Sequence, residues 1–105
     1  MAAFGQPNPA LQRAIRATVK GGTQHVQIIS HALLAMDDDG FDVAEVLECL
    51  RKGVVYGPEV QRNQLRANVV HRGIRIRVVV GGLDKVNGDW SLLERVVVVT
   101  VMETS

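Results

Sequence analysis

The chain has 105 residues, 47% of them hydrophobic, and a formal net charge of +1, the profile of one ordinary globular domain with a single core. No apolar run approaches the ~20 residues that a membrane-spanning helix requires, and the first residues lack the basic start and apolar middle of a secretory signal. The lone cysteine, Cys49, excludes an internal disulfide and a thiolate zinc cluster.

The expected organisation is a loose leader over residues 1–7 and one domain over 8–105, in a cytoplasmic protein. Asn8-Pro9 is a helix start, with asparagine as cap and proline at the first helical position. The helix runs to about Lys20 with Leu11, Ala14, Ile15 and Val19 on one face, and Gly21-Gly22 ends it. Val26 to Ile29 reads as a short strand or an extended entry. Ser30 then caps a second helix, His31 to Asp38, stopped by Gly40. Asp42 and Glu45 have capping-box spacing, and Val43, Val46, Leu47 and Leu50 follow at i, i+3, i+4 and i+7 in a third helix closed by Gly53. Cys49 falls beside that stripe and reads as a small, partly buried thiol rather than a nucleophile.

After Gly53 the period changes. Val54-Val55-Tyr56 reads as a strand broken by Gly57-Pro58. Leu65–Val70 and Ile74–Val80 form a hairpin turning at His71-Arg72-Gly73, in which Ile74, Ile76, Val78 and Val80 alternate with Arg75 and Arg77. Asp84 to Trp90 is a polar turn region. Arg95 to Met102 is a last strand whose near-continuous valines predict an interior position in the sheet. The expected fold is α+β, with N-terminal helices packed on one face of a mainly antiparallel four-stranded sheet.

Charge is informative in its arrangement. Arg13, Arg16 and Lys20 come first, then Asp37, Asp38, Asp39, Asp42, Glu45 and Glu48 without an intervening lysine or arginine. Arg62, Arg66, Arg72, Arg75 and Arg77 follow with no acid among them. A sheet face bearing Arg66, Asn68, Arg75 and Arg77, extended by Arg62 and Arg72, offers donor forks suited to phosphate oxygens, although charged strands also serve to deter aggregation. Aromatic residues are too few for a base-stacking platform. His31 stands where a helix begins, a place where the dipole favours the neutral imidazole of a general base; the plainer reading is a capping or packing residue. His25 and His71 have no partner at metal-ligand spacing, and neither a metal nor a cofactor is expected. There is no glycine-rich phosphate loop, and the run Asp37-Asp38-Asp39-Gly40 lacks the later glutamate of a calcium loop.

From His31 onward the order of features resembles a small bacterial family, domain-of-unknown-function family 4258. The resemblance is carried by His31-Ala32-Leu33-Leu34-Ala35-Met36, Asp39-Gly40-Phe41, Val46 to Gly53, and Val98-Val99-Thr100-Val101. Ala35 and Asp39 stand where the family pattern has arginine. The resemblance implies a layout like the RelE and ParE toxins and an action on RNA, or inhibition of a nucleic-acid enzyme. In a metal-free ribonuclease of that kind His31 would be the base or acid, Arg66, Arg75 and Arg77 the charge stabilisers, and Thr100 a supporting polar residue. The competing expectation is a non-catalytic module that binds an antitoxin-like protein partner, or itself as a homodimer, through the sheet edge.

Overall fold

The computed structural model describes residues 5–83, 90 and 93–104. In chain order the elements are α1 (Pro9–Lys20), a 3-10 turn at Thr23–His25, β1 (Val26–Ile28), α2 (Ser30–Asp39), α3 (Val43–Lys52), β2 (Val54–Gln61), β3 (Gln64–His71), β4 (Ile76–Gly81) and β5 (Val96–Glu103). The fold is α+β, and its sheet has five strands in the order β1-β5-β4-β3-β2. The expected four strands of a mainly antiparallel sheet are therefore corrected to five in a mixed one: β2–β3, β3–β4 and β4–β5 pair antiparallel, while β1 joins parallel to β5, Val26 beside Val96 and Ile28 beside Val98. Val26 and Ile28 are half-buried while Gln27 between them is exposed, the alternation of an edge strand with one apolar side. β1 thus supplies β5 with its second neighbour and places the valine strand inside the sheet, as its composition predicts.

The helices follow their local signals closely. The Asn8 side chain accepts from the Leu11 N–H at 3.0 Å, and Leu11, Ile15 and Val19 are buried. At α3 both halves of the capping box form, Glu45 N–H to Asp42 Oδ1 at 2.8 Å and Asp42 N–H to Glu45 Oε1 at 3.1 Å. Its inner face is Val46, Cys49 and Leu50, with Val43 turned outward. Gly53 closes α3 where a Cβ would meet Cys49 O at 2.6 Å and Val69 Cγ1 at 2.8 Å, so only glycine lets the helix end lie against β3. α2 departs from expectation at its start. Ser30 is already helical, Ile29 occupies the cap position, and no side chain caps the helix. The Ile29 N–H is still bonded to Val98 O at 3.3 Å, so the chain passes directly from strand into helix. Gly40 ends α2 in the left-handed region, at φ 75°.

The strands hold two more corrections. β2 does not stop at Gly57-Pro58 but continues to Gln61 through an irregularity between Tyr56 and Glu59, where the Gly57-Pro58 bond is cis. Pro58 is tolerated because β2 is an edge strand. Beyond it Arg62 and Asn63 both have positive φ, 51° and 62°, the signature of a two-residue hairpin turn that matches strand twist. The β3–β4 hairpin forms as expected, but its turn extends through Arg75, which has φ 55°.

The free edge of β2 is closed by the start of the chain. Asn8 N–H donates to Val55 O at 2.8 Å and Gly57 N–H to Gln6 O at 2.9 Å. The Gln12 side chain accepts from Val55 N–H at 3.0 Å, and the Asn8 amide donates to Gly57 O at 2.9 Å. Residues 6 and 7, read from sequence as part of a loose leader, belong to this cover, which blunts an otherwise sticky edge. The core joins the inner residues of all three helices to Val55, Ala67, Val69, Ile76, Val78, Val80, Val96, Val98 and Val101. No helix among the described residues is long and apolar enough to cross a membrane. The polar turn expected at 84–90 lies outside the described residues except for Trp90, which is buried.

Candidate nucleic-acid interface

Strand alternation decides which arginines share a face. Ala67 and Val69 on β3, and Ile76, Val78 and Val80 on β4, enter the core, so Arg66, Asn68 and Arg77 leave by the opposite side of the sheet. There Arg77 Nε donates to Asn68 Oδ1 at 2.8 Å, and Arg77 Nη1 lies 3.4 Å from Met102 Sδ. Asn68 is 2% exposed, the buried polar residue among those described. The sequence reading of Asn68 as part of an open binding face is corrected: its amide is committed to holding Arg77. Thr100 stands opposite Val79, and Met102 opposite Arg77, so Thr100 belongs to this same face.

The remaining arginines lie at the ends of the hairpins. Arg62 is in the β2–β3 turn, and Arg72 and Arg75 are exposed in the β3–β4 turn. Arg75 was expected to alternate with Arg77 along the strand. Instead its carbonyl accepts from the Thr104 N–H at 2.9 Å, and regular pairing begins only at Ile76, opposite His71. Arg66 faces Glu59 in register, yet no ion pair forms and its buried Nε has no partner. The side chains of Arg62, Arg66, Arg72 and Arg75 make no hydrogen bond or ion pair among the described residues.

His31 is not brought to this surface. It is exposed on the second residue of α2, whose buried Ala32 and Met36 pack into the core. The start of α2 is tied to Val98, whereas Arg77 leaves β4 on the far side of the sheet opposite Met102. The sheet therefore separates the candidate base from Arg77 and Thr100.

Cys49 is fully buried, with Sγ 3.4 Å from Val69 O. Burial pushes its thiol up from 9.0 to about 12, opposed in smaller part by the backbone at His71 and Val78, which makes it a core residue rather than a nucleophile. No group of three or more His, Cys, Asp or Glu side chains among the described residues could hold a metal ion. Sequence reasoning missed Tyr56, which pairs with Asn68, and Met102. The spacing of Thr100 and Met102, two residues apart, carried a signal for the latter, but the register shift between Val79 and Val80 puts Val98 on the core side and breaks the alternation before Thr100. Comparison with family models, with curated proteins and with solved structures gave no match.

Proposed function

We propose that this is a cytoplasmic RNA-binding protein that grips phosphates with Arg62, Arg66, Arg72 and Arg75. The observation carrying this reading is that these four guanidinium groups lack a carboxylate partner among the described residues, although acids make up a tenth of the chain, 11 of 105 residues. Guanidinium forks suit phosphate oxygens. β3 has eight residues, and at about 3.3 Å per residue it sets the two turns roughly 25 Å apart, the reach of a strand laid along the hairpins. Cleavage is not part of the proposal, because the sheet lies between His31 and the face that bears Arg77 and Thr100.

The test is the affinity of the purified protein for a labelled single-stranded RNA, measured by fluorescence anisotropy across a salt series. Four phosphate contacts on a single strand give a log–log slope of about −3. Arg62→Ala/Arg66→Ala and Arg72→Ala/Arg75→Ala should each lower that slope by about half. Absence of binding at low salt, or slopes that neither double variant changes, would overturn the reading. The rival, partner binding through the sheet edge, is weakened at β2 by the cover of residues 6–8 and Gln12 and leaves only the three-residue β1.

A further inference from the structure

We infer that the outward face of α2 is the contact of a homodimer, in which α2 packs antiparallel against its copy with Leu34 on the two-fold axis. Independently of RNA binding, α2 is turned inside out by the usual rule. α1 and α3 bury their large apolar side chains, Leu11 and Ile15 in one and Val46 and Leu50 in the other. α2 buries Ala32 and Met36 and leaves Leu33 49% and Leu34 67% exposed. Its orientation is fixed at both ends, by Ile29 N–H on Val98 O at 3.3 Å and by Asp39 Oδ2 accepting from Glu103 N–H at 3.3 Å. At about 100° per residue Leu34 lies ~200° from Ala32, at the centre of the outward face.

The residues flanking Leu34 are arranged for a copy of themselves. His31 and Asp38 lie on one flank, Ser30 and Asp37 on the other, and all four are exposed. A two-fold axis through Leu34 reverses the helix and keeps each flank on its own side. It therefore sets His31 against the partner's Asp38, Ser30 against the partner's Asp37, and Leu34 against the partner's Leu34. Each polar pair joins a donor to a carboxylate, and symmetry repeats both.

The two ends of α2 lack something that this packing supplies. The helix begins without a side-chain cap, and no acidic residue stands in its first turn. It ends in Asp37, Asp38 and Asp39 with no basic residue in the last turn, where the macrodipole disfavours acids. Asp39 is used by the Glu103 amide; Asp37 and Asp38 make no side-chain bond among the described residues. Antiparallel packing brings those two carboxylates beside the uncapped N–H groups and the positive end of the partner helix. An apolar centre, a mismatched start and a mismatched end are all answered by one second copy. With α2 only ten residues long, the contact falls at the small end of specific interfaces and its affinity is modest.

Sedimentation equilibrium of the full chain, from ~10 μM to about 1 mM, should show a reversible monomer–dimer equilibrium. Leu34→Glu, an exposed change that leaves the circular dichroism spectrum intact, should leave monomer throughout. His31→Asp and Asp38→His should each weaken dimerisation by about tenfold, and the double swap should recover it to within about threefold. A wild type that stays monomeric, a dimer indifferent to Leu34→Glu, or single swaps that the double swap does not rescue would each overturn the inference.

Discussion

Arg77 Nε donates to Asn68 Oδ1 at 2.8 Å across the β3–β4 ladder, and Asn68 is almost wholly removed from solvent. The amide oxygen gives the guanidinium an acceptor and is itself satisfied by it, so each side chain makes the other's position tolerable. Asn68→Ala strips Arg77 of this acceptor and should destabilise the fold by about 1–3 kcal/mol in urea titration. Adding Arg77→Met should cost less than the two single changes summed, by about 1 kcal/mol, because the interaction can be lost only once. Strict additivity would show that the pair is not coupled.

That pair also marks where the sequence stops being legible. The helices could be read almost residue by residue, because their signals are local: Asn8-Pro9 at one start, Asp42 and Glu45 at another, Gly21, Gly40 and Gly53 at the ends. The valine run 96–99 pointed to an interior place for β5, because near-continuous apolar strands belong to the covered middle of a sheet, and β5 does lie between β1 and β4. What failed depended on distant partners. The pairing of Val26 and Ile28 with Val96 and Val98 spans most of the chain, and nothing near Pro58 announces that β2 continues on a covered edge. At the candidate site the alternation of Arg66, Asn68 and Arg77 was correct as to face. The bond between Asn68 and Arg77, and the loss of Arg75 to the turn, depended on a cross-strand diagonal and a backbone bond from Thr104 that no spacing reveals.

Cys49 supplies a prediction about reactivity and pH. Its thiol, buried and raised from 9.0 to about 12, should resist an alkylating reagent at pH 8 in the folded protein and react at once in denaturant. The native state keeps its proton at pH values where the unfolded chain has lost it. Stability should therefore be unaffected below about pH 8.5 and fall above 9.0, by at most about 1.4 kcal/mol per pH unit. Since lysine and tyrosine also titrate there, the quantity to plot is the stability difference between wild type and Cys49→Ala. A difference that stays flat from pH 8 to about 10.5 would refute the assignment.

The turn Arg62-Asn63 offers a gain rather than a loss. Both residues hold positive φ, which costs a residue with a long side chain about 1 kcal/mol and asparagine or glycine less. Arg62→Asn/Asn63→Gly should stabilise the protein by about 0.5–1 kcal/mol in urea titration, with an unchanged m value. If Arg62 contacts phosphate, the same variant should bind RNA with a salt slope shallower by about 0.7. A more stable protein with the wild-type slope would confine Arg62 to the turn and remove it from the RNA contact.

His31 separates RNA binding from RNA cleavage. It is exposed on α2 across the sheet from Arg77 and Thr100, so a phosphate held at that far face lies outside the hydrogen-bond reach that a general base needs, about 3 Å. His31→Ala should leave the affinity for single-stranded RNA and its salt slope unchanged, while Arg72→Ala/Arg75→Ala lowers both. With chelator present, wild type and His31→Ala should both leave cellular RNA whole at concentrations where the RNA is bound. Cleavage by the wild type that disappears in His31→Ala, with folding intact, would reverse this conclusion and require the histidine and the arginines to meet on the RNA.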